Sequence, residues 1–260
     1  MFLKLGGSLI TDKSAERTAR QAVIDRIAAE IAAYMEEPAA EPLLLGHGSG
    51  SFGHAAAAQH GTHHGVDSPE GWRGFIEVWK AASKLHRIVL RSLHDVSLPA
   101  ISMPPSASAV SLDGQIHSLA IVPIEHALAF DLLPVVYGDV AFDRSQGAAI
   151  LSTESIFSFL ASELKPTRIL LAGIEAGIFA DYPSRQHLLD QLGPNELESI
   201  DLKGAETIDV TGGMLSKVEQ SLTLIKSLPG LEIRIFSGED PGSILKALQG
   251  ETLGTLIRSG

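Results

Sequence analysis

The sequence predicts an α/β fold with a mainly parallel sheet, and three observations carry that expectation. Short apolar runs of strand length alternate with longer segments whose apolar residues recur at helical spacing. Glycine-rich turns follow the apolar runs or open the periodic segments. The chain has 260 residues, enough for one large α/β domain or two lobes around a sizeable core.

The elements follow in order. Residues 2–5 are a short apolar start that runs into Gly6-Gly7-Ser8. Residues 22–35 place Val23, Ile27, Ile31 and Tyr34 on one helical face. Residues 43–45, three leucines, read as a buried strand, and 70–93 as a long helix carrying Phe75, Ile76, Trp79, Leu85 and Val89. Short strands are expected at 99–102 and 134–137. A helix at 156–164 must end before Pro166. A strand at 168–172 and a helix at 215–227 follow, the latter with Val218, Leu222 and Ile225 on one face. Strands at 233–236 and 255–257 flank a helix at 241–248, and 183–195 is the most loop-like stretch of the second half. The sheet is expected to run through both lobes.

Composition narrows the function classes. The formal net charge is −11, which disfavours electrostatic binding of nucleic acid or an anionic membrane but leaves room for a small anion held by a few local cations. With no cysteine, thiolate catalysis, disulfides and cysteine-type zinc sites are excluded. No apolar run approaches the ~18 residues of a membrane span, and the N-terminal "MFLKLGGSLI" does not read as a signal peptide. A soluble cytoplasmic protein is expected.

The stretch "PLLLGHGSGSFGH" (42–54) contains Gly48-x-Gly50-x-x-Gly53. Glycines at a strand end let backbone N–H groups approach an anion, and a following helix start favours negative charge. The spacing is that of a dinucleotide fingerprint, yet the acidic residue expected roughly 20 positions on could be Asp67 or Glu70, neither at an evident strand end. Other features change the balance. Lys4 lies on a strand beside Gly6-Gly7, Lys13 follows that turn, and "DVTGGMLSK" places Gly212-Gly213 at a helix start with Lys217 one turn inside. Glycine turns that admit phosphates, with cations to neutralise a moving phosphoryl group, are the inventory of phosphoryl transfer. A GxxxxGK[ST] loop is absent, so this is no P-loop enzyme. His54, His60, His63 and His64 invite a zinc reading, but "HGTHHG" reads as a polar loop and no metal site is assigned.

The segments "LKLGGSLITDK", "GHGSGSFGH", "VVYGDV", "IDVTGGMLSK" and "IFSGEDPGSILKALQGETLGTLI" together resemble the amino acid kinase family, and within it the isopentenyl phosphate kinases. The likeness covers nearly the whole chain. It implies a three-layer αβα sandwich with a mainly parallel central sheet. It implies a single domain over 1–260, with an acceptor-side lobe at about 1–150 and a nucleotide-side lobe at about 151–260. It implies ATP and Mg²⁺, a homodimer, and phosphorylation of isopentenyl phosphate to the diphosphate in isoprenoid precursor synthesis. Phosphorylation of another small phosphate or phosphonate such as fosfomycin, or non-catalytic metabolite binding on the same fold, stays open.

The resemblance also implies residue roles. Lys4 lies under the transferring group; Gly6, Gly7 and Ser8 form a turn near the ATP phosphates, which Lys13 also contacts. Ser49 and Gly50 straddle acceptor and γ-phosphate, His54 hydrogen-bonds the acceptor phosphate, and Gly138 lines the acceptor side. Gly213 and Lys217 belong to the nucleotide side. Phe75, Ile76 and Trp79 are candidates for the acceptor's apolar tail, with core packing as the competing reading. The chain departs from the family pattern in three places. "GSG" replaces "GGG". Ser152-Thr153-Glu154-Ser155 stands for "SGDD", so Glu154 is the candidate for orienting the lysines. Gly173-Ile174-Glu175-Ala176-Gly177 replaces "TDVDG", removing both aspartates.

Overall fold

The structure, a computed structural model, describes residues 1–12, 14–53, 65–181, 184–194 and 214–259. An eight-stranded sheet forms its middle layer. It is built from β1 (Phe2–Leu5), β2 (Leu44–His47), β3 (Ala100–Ser102), β6 (Leu133–Tyr137), β9 (Arg168–Gly173), β10 (Gln191–Leu192), β11 (Glu232–Ser237) and β12 (Thr255–Ile257), in the order β10-β12-β11-β9-β1-β2-β6-β3. All neighbours pair in parallel except β11 and β12. The expected mainly parallel central sheet is therefore present. A second sheet of β4 (Ala109–Leu112), β5 (Gln115–Leu119), β7 (Asp139–Asp143) and β8 (Gly147–Leu151) was not legible in the sequence. Its strands are four or five residues long, β7 and β8 are mostly buried while β5 is mostly exposed, and β6 of the main sheet lies between them in the sequence, so no shared period-2 pattern stands out.

Helices cover both faces. On one lie α2 (Gln21–Met35), α3 (Pro69–Asp95) and α8 (Ser243–Leu248), whose apolar residues share a core with Leu3, Leu5 and Leu45. On the other lie α5 (Val122–Ala129), α6 (Thr153–Leu164) and α7 (Met214–Ser227), packed on Phe2, Leu44 and Ile169. Two further helices, α1 (Gly7–Ile10) and α4 (Pro105–Ser108), are single turns. The alternation of side chains along a strand explains this split. Leu3 and Leu5 point to the first core, while Phe2 enters the second. Lys4 shares the Phe2 face by the same period.

Helix ends match their chemistry. Ser68 caps α3, its Oγ accepting from Gly71 N at 3.1 Å, with Pro69 in the first turn. Ser152 caps α6 by accepting from Ser155 N at 3.0 Å, so this helix begins three residues before the apolar periodicity suggests. Lys165 ends it in a left-handed conformation, just before Pro166. Glu30 on α2 accepts from the N–H groups of Gly242, Ile244 and Leu245 and so caps α8 from a neighbouring helix. The stretch 183–195, expected to be a loop, instead contributes β10 to the main sheet, and its Leu188 forms an isolated bridge with Phe179.

The chain leaves β1 for β2 on one side and later returns to β9 on the other. The reversal opens a crevice at the carboxyl ends of these strands, the usual ligand position in an open α/β sheet.

Candidate active site

Two glycine turns meet in that crevice. The first follows β1: Gly6 N donates to Ala172 O of β9 at 2.7 Å. The second follows β2: Gly48 N donates to Leu5 O at 2.9 Å. The turns touch backbone to backbone. A Cβ on Gly7 would lie 2.5 Å from Gly50 N and 2.6 Å from Gly50 Cα, and one on Gly48 would lie 2.8 Å from Gly7 N. Gly50 takes φ +50°, in the left-handed region, and starts the helical residues 50–53. Ser49 has no positive φ, which is why a serine fits in the middle of "GSG".

Thr11 holds the two turns together. Its hydroxyl donates to Gly7 O at 2.7 Å and accepts from Ser51 N at 3.0 Å, and the residue is buried. Sequence reading missed it, because a lone threonine after "GGSLI" carries no signal until the second turn folds against it.

A buried cation sits beneath. Lys4, on β1, is buried, and its Nζ donates to Glu154 Oε1 at 2.5 Å. The pairing follows from two periodicities. Phe2 and Lys4 are two apart on a strand face; Glu154 and Phe157 are three apart on a helix face. Phe2 and Phe157 pack edge to face at 5.2 Å, which sets the height at which Lys4 meets Glu154. Burial would raise the Glu154 pKa, but the Lys4 charge and hydrogen bond outweigh it, with help from Lys217, and hold it below the ordinary carboxylate value. Lys217, in the first turn of α7, lines one small cleft with Glu154, Phe157 and Leu171.

Gly138 is buried behind the second turn. Its N–H donates to His47 O at 3.1 Å, and a Cβ there would stand 3.7 Å from Ser49 N and 3.4 Å from Thr153 Oγ1. Thr153 Oγ1 also donates to His47 O, at 2.7 Å. Thus Lys4, Gly6, Gly7, Ser49, Gly50, Gly138, Glu154 and Lys217, separate in the sequence, gather around one crevice, and Ser8 follows Gly7 in α1. Lys13, His54 and Gly213 lie outside the described residues, as do His60, His63 and His64.

The apolar candidates on α3 divide. Phe75 is buried against Trp72 and Phe142, at ring centroids of 5.4 and 5.3 Å. Ile76 and Trp79 stand on the exposed side of the helix. On the other lobe Glu175, in the segment that replaces the family's two aspartates, pairs with Arg185 at 3.0 Å.

A glycine cradle in which a Cβ on Gly7, Gly48 or Gly50 would strike backbone, opening beside a buried lysine, suits the phosphates of a nucleotide such as ATP. Among the described residues there is no cluster of three or more metal-ligating side chains.

Comparison with known proteins agrees with this geometry. The model of the amino acid kinase family matches residues 1–237. The isopentenyl phosphate kinase of Methanothermobacter thermautotrophicus is 34% identical, covering 99% of this chain and 98% of the relative. That of Methanocaldococcus jannaschii is 32% identical, covering 98% and 97%. Among solved structures, one described as an isopentenyl phosphate kinase superposes with a TM-score of 0.83 at 31% identity, covering 98% of both chains. An isopentenyl phosphate kinase substrate complex superposes with a TM-score of 0.79 at 27% identity over 99% of this chain and 100% of the other. The chain belongs to the amino acid kinase family, and these relatives, matched over nearly their whole length, are isopentenyl phosphate kinases.

Proposed function

We propose that the protein transfers the γ-phosphoryl group of ATP to isopentenyl phosphate, giving isopentenyl diphosphate and ADP. The observation that carries this reading is the meeting of the Gly7 and Gly50 turns above the Lys4–Glu154 pair. An acceptor phosphate oxygen attacks the γ-phosphorus as the bond to the ADP oxygen breaks. The acceptor is already an anion, so no general base is needed. Catalysis then consists of alignment and charge stabilisation.

The roles follow from position and charge. Lys4, held by Glu154, neutralises charge on the moving phosphoryl group. Gly6, Gly7 and Ser8 admit the ATP phosphates, joined by Lys13, Gly213 and Lys217. Ser49 and Gly50 offer backbone N–H groups between donor and acceptor, with Gly138 lining the acceptor side behind them. His54 binds the acceptor phosphate, donating a hydrogen bond when neutral and adding charge when protonated. Ile76 and Trp79, with Phe75 packed beneath, offer apolar surface to the isopentenyl tail. Mg²⁺, held by ATP phosphates and water, supplies further charge neutralisation when bound. The acceptor occupies the lobe of residues 1–150 and the nucleotide that of 151–260. The protein works as a homodimer in the cytoplasm; among the described residues no helix is long and apolar enough to cross a membrane.

The test is ADP release with ATP, Mg²⁺ and isopentenyl phosphate against a blank lacking acceptor, with the product identified by mass. Acceptor-dependent ADP and isopentenyl diphosphate are expected. Folded protein that turns over fosfomycin or another phosphate, but not isopentenyl phosphate, overturns the assigned acceptor. In His54→Ala, acceptor affinity and turnover should fall while ATP binding persists.

A further inference from the structure

Beneath the second glycine turn lies a polar stack for which the proposed reaction gives no account. His47, the last residue of β2, is fully buried; its Nδ1 is 3.1 Å from Gly48 O and its Nε2 is 3.0 Å from His86 Nδ1. His86, buried on α3, places its Nε2 2.8 Å from Ser102 Oγ at the end of β3. Tyr137, the last residue of β6, stacks on both rings, at centroid distances of 4.0 Å to His86 and 5.6 Å to His47. Three strand ends and the long helix are tied together at this point.

The hydrogen bonds permit one direction when both rings are neutral. A carbonyl only accepts, so His47 must carry its proton on Nδ1. Its Nε2 is then an acceptor, and His86 must donate from Nδ1. His86 Nε2 is left as an acceptor, and the Ser102 hydroxyl donates to it. Neutrality follows from the surroundings. Both rings are buried, Lys4 on β1 acts on His47, and Arg87 on α3 acts on His86; each of these disfavours a charged imidazole. The acidic group nearby, Asp139, faces Tyr137 and is itself pushed towards its neutral form by burial.

We propose that Ser102, His86 and His47 form a one-way hydrogen-bond relay ending on the Gly48 carbonyl, and that His47 and His86 are positioning residues that fix the Gly48–Ser49 peptide for phosphate binding. The peptide before it is pinned independently, since His47 O accepts from Gly138 N and Thr153 Oγ1. The relay supplies the remaining restraint. A carbonyl that accepts a hydrogen bond at the end of a polarised chain makes its peptide N–H, that of Ser49, a stronger donor. The relay also connects α3, whose exposed face carries Ile76 and Trp79, to the phosphate turn. The role in catalysis rests on the kinase reading above; the relay does not.

The experiment uses the full chain labelled with ¹⁵N in histidine rings and backbone amides. At pH 7, His47 and His86 should both appear as neutral Nδ1–H tautomers. An Nε2–H tautomer or a charged ring at either position overturns the relay. In His86→Phe, which fills the space but cuts the chain, the Ser49 amide signal should shift. Turnover should fall about tenfold while the KM for ATP stays within about twofold. His86→Gln keeps one donor and one acceptor and should recover most of the turnover. Equal losses in both variants, or an unmoved Ser49 amide, overturn the positioning role. If His86→Phe does not fold, Ser102→Ala is the second variant: the Ser49 amide should shift by a smaller amount, and no shift overturns the proposal. A wild type that shows the tautomers but does not phosphorylate isopentenyl phosphate defeats the function assigned above and leaves the relay standing.

Discussion

Lys4 Nζ lies 2.5 Å from Glu154 Oε1, although 150 positions separate the two residues in the chain. The pair joins the central strand β1 to the first turn of α6 and places a buried positive charge at the mouth of the glycine cradle. The longer reach of glutamate is no obstacle, because α6 starts at Thr153 and sets Glu154 over the strand.

Removing the charge of either partner should therefore affect the chemical step. Lys4→Ala is expected to lower kcat by about 10²-fold or more. Glu154→Gln leaves the lysine without its counter-charge, and kcat should fall by a similar order while the protein still folds. The Glu154 pKa is lowered in the folded state, so its contribution to stability exists above the unfolded value and is lost as pH falls through the folded one. Acid titration of stability, followed by urea unfolding, should be less steep in Glu154→Gln. Wild-type turnover in Lys4→Ala would place the active site elsewhere.

Thr11→Val keeps the shape of the side chain but removes the hydroxyl that links the turns. Ser51 N loses its acceptor and Gly7 O a donor. A loss of roughly 1–3 kcal/mol in unfolding free energy is expected. The KM for ATP should rise, since the Gly7 turn is no longer tied to its partner. An unchanged melting temperature together with unchanged kinetics would show that the link is dispensable.

Gly7→Ala tests the contact between the turns directly. The new methyl would lie 2.5 Å from Gly50 N, so one backbone must move. Far-UV circular dichroism should stay near wild type, because the contact lies outside the two cores, while turnover falls at least tenfold. Retained turnover would mean that the turns part without cost to the reaction.

His47 predicts a pH dependence of stability. Burial pushes its pKa down to about 4, against a hydrogen bond to Gly48 that raises it and with the Lys4 charge lowering it further. The His86 ring is pushed down as well, mainly by burial. Between the ordinary histidine value near 6.5 and about 4, the unfolded chain binds a proton that the folded protein refuses. Stability therefore rises with pH across this window and falls on acidification, by a total on the order of 3 kcal/mol for His47. Urea unfolding at intervals between pH 7 and pH 5 should show the decline, and His47→Gln should make it shallower while the His86 contribution remains. A stability that does not change over that interval would rule out a buried neutral ring.

The sequence by itself determined the α/β class, the family and the main-sheet strands other than β10. Strand runs and helical periodicity survive in one dimension because each element must bury one face. Gly6-Gly7, Gly48-x-Gly50 and the lysines are visible because they stand close together in the chain, in a pattern that suits phosphate binding. Helix starts were less legible: Ser152 opens α6 through a hydroxyl cap that apolar spacing does not register. Only the tertiary structure decided which turns meet, that Thr11 bridges them, that Glu154 faces Lys4, and that Phe75 turns inward while Ile76 and Trp79 do not. It alone brought His47, His86, Ser102 and Tyr137 into one stack. Those relations depend on strand order and on the height at which a helix docks. Long-range packing sets both, and no local pattern encodes either.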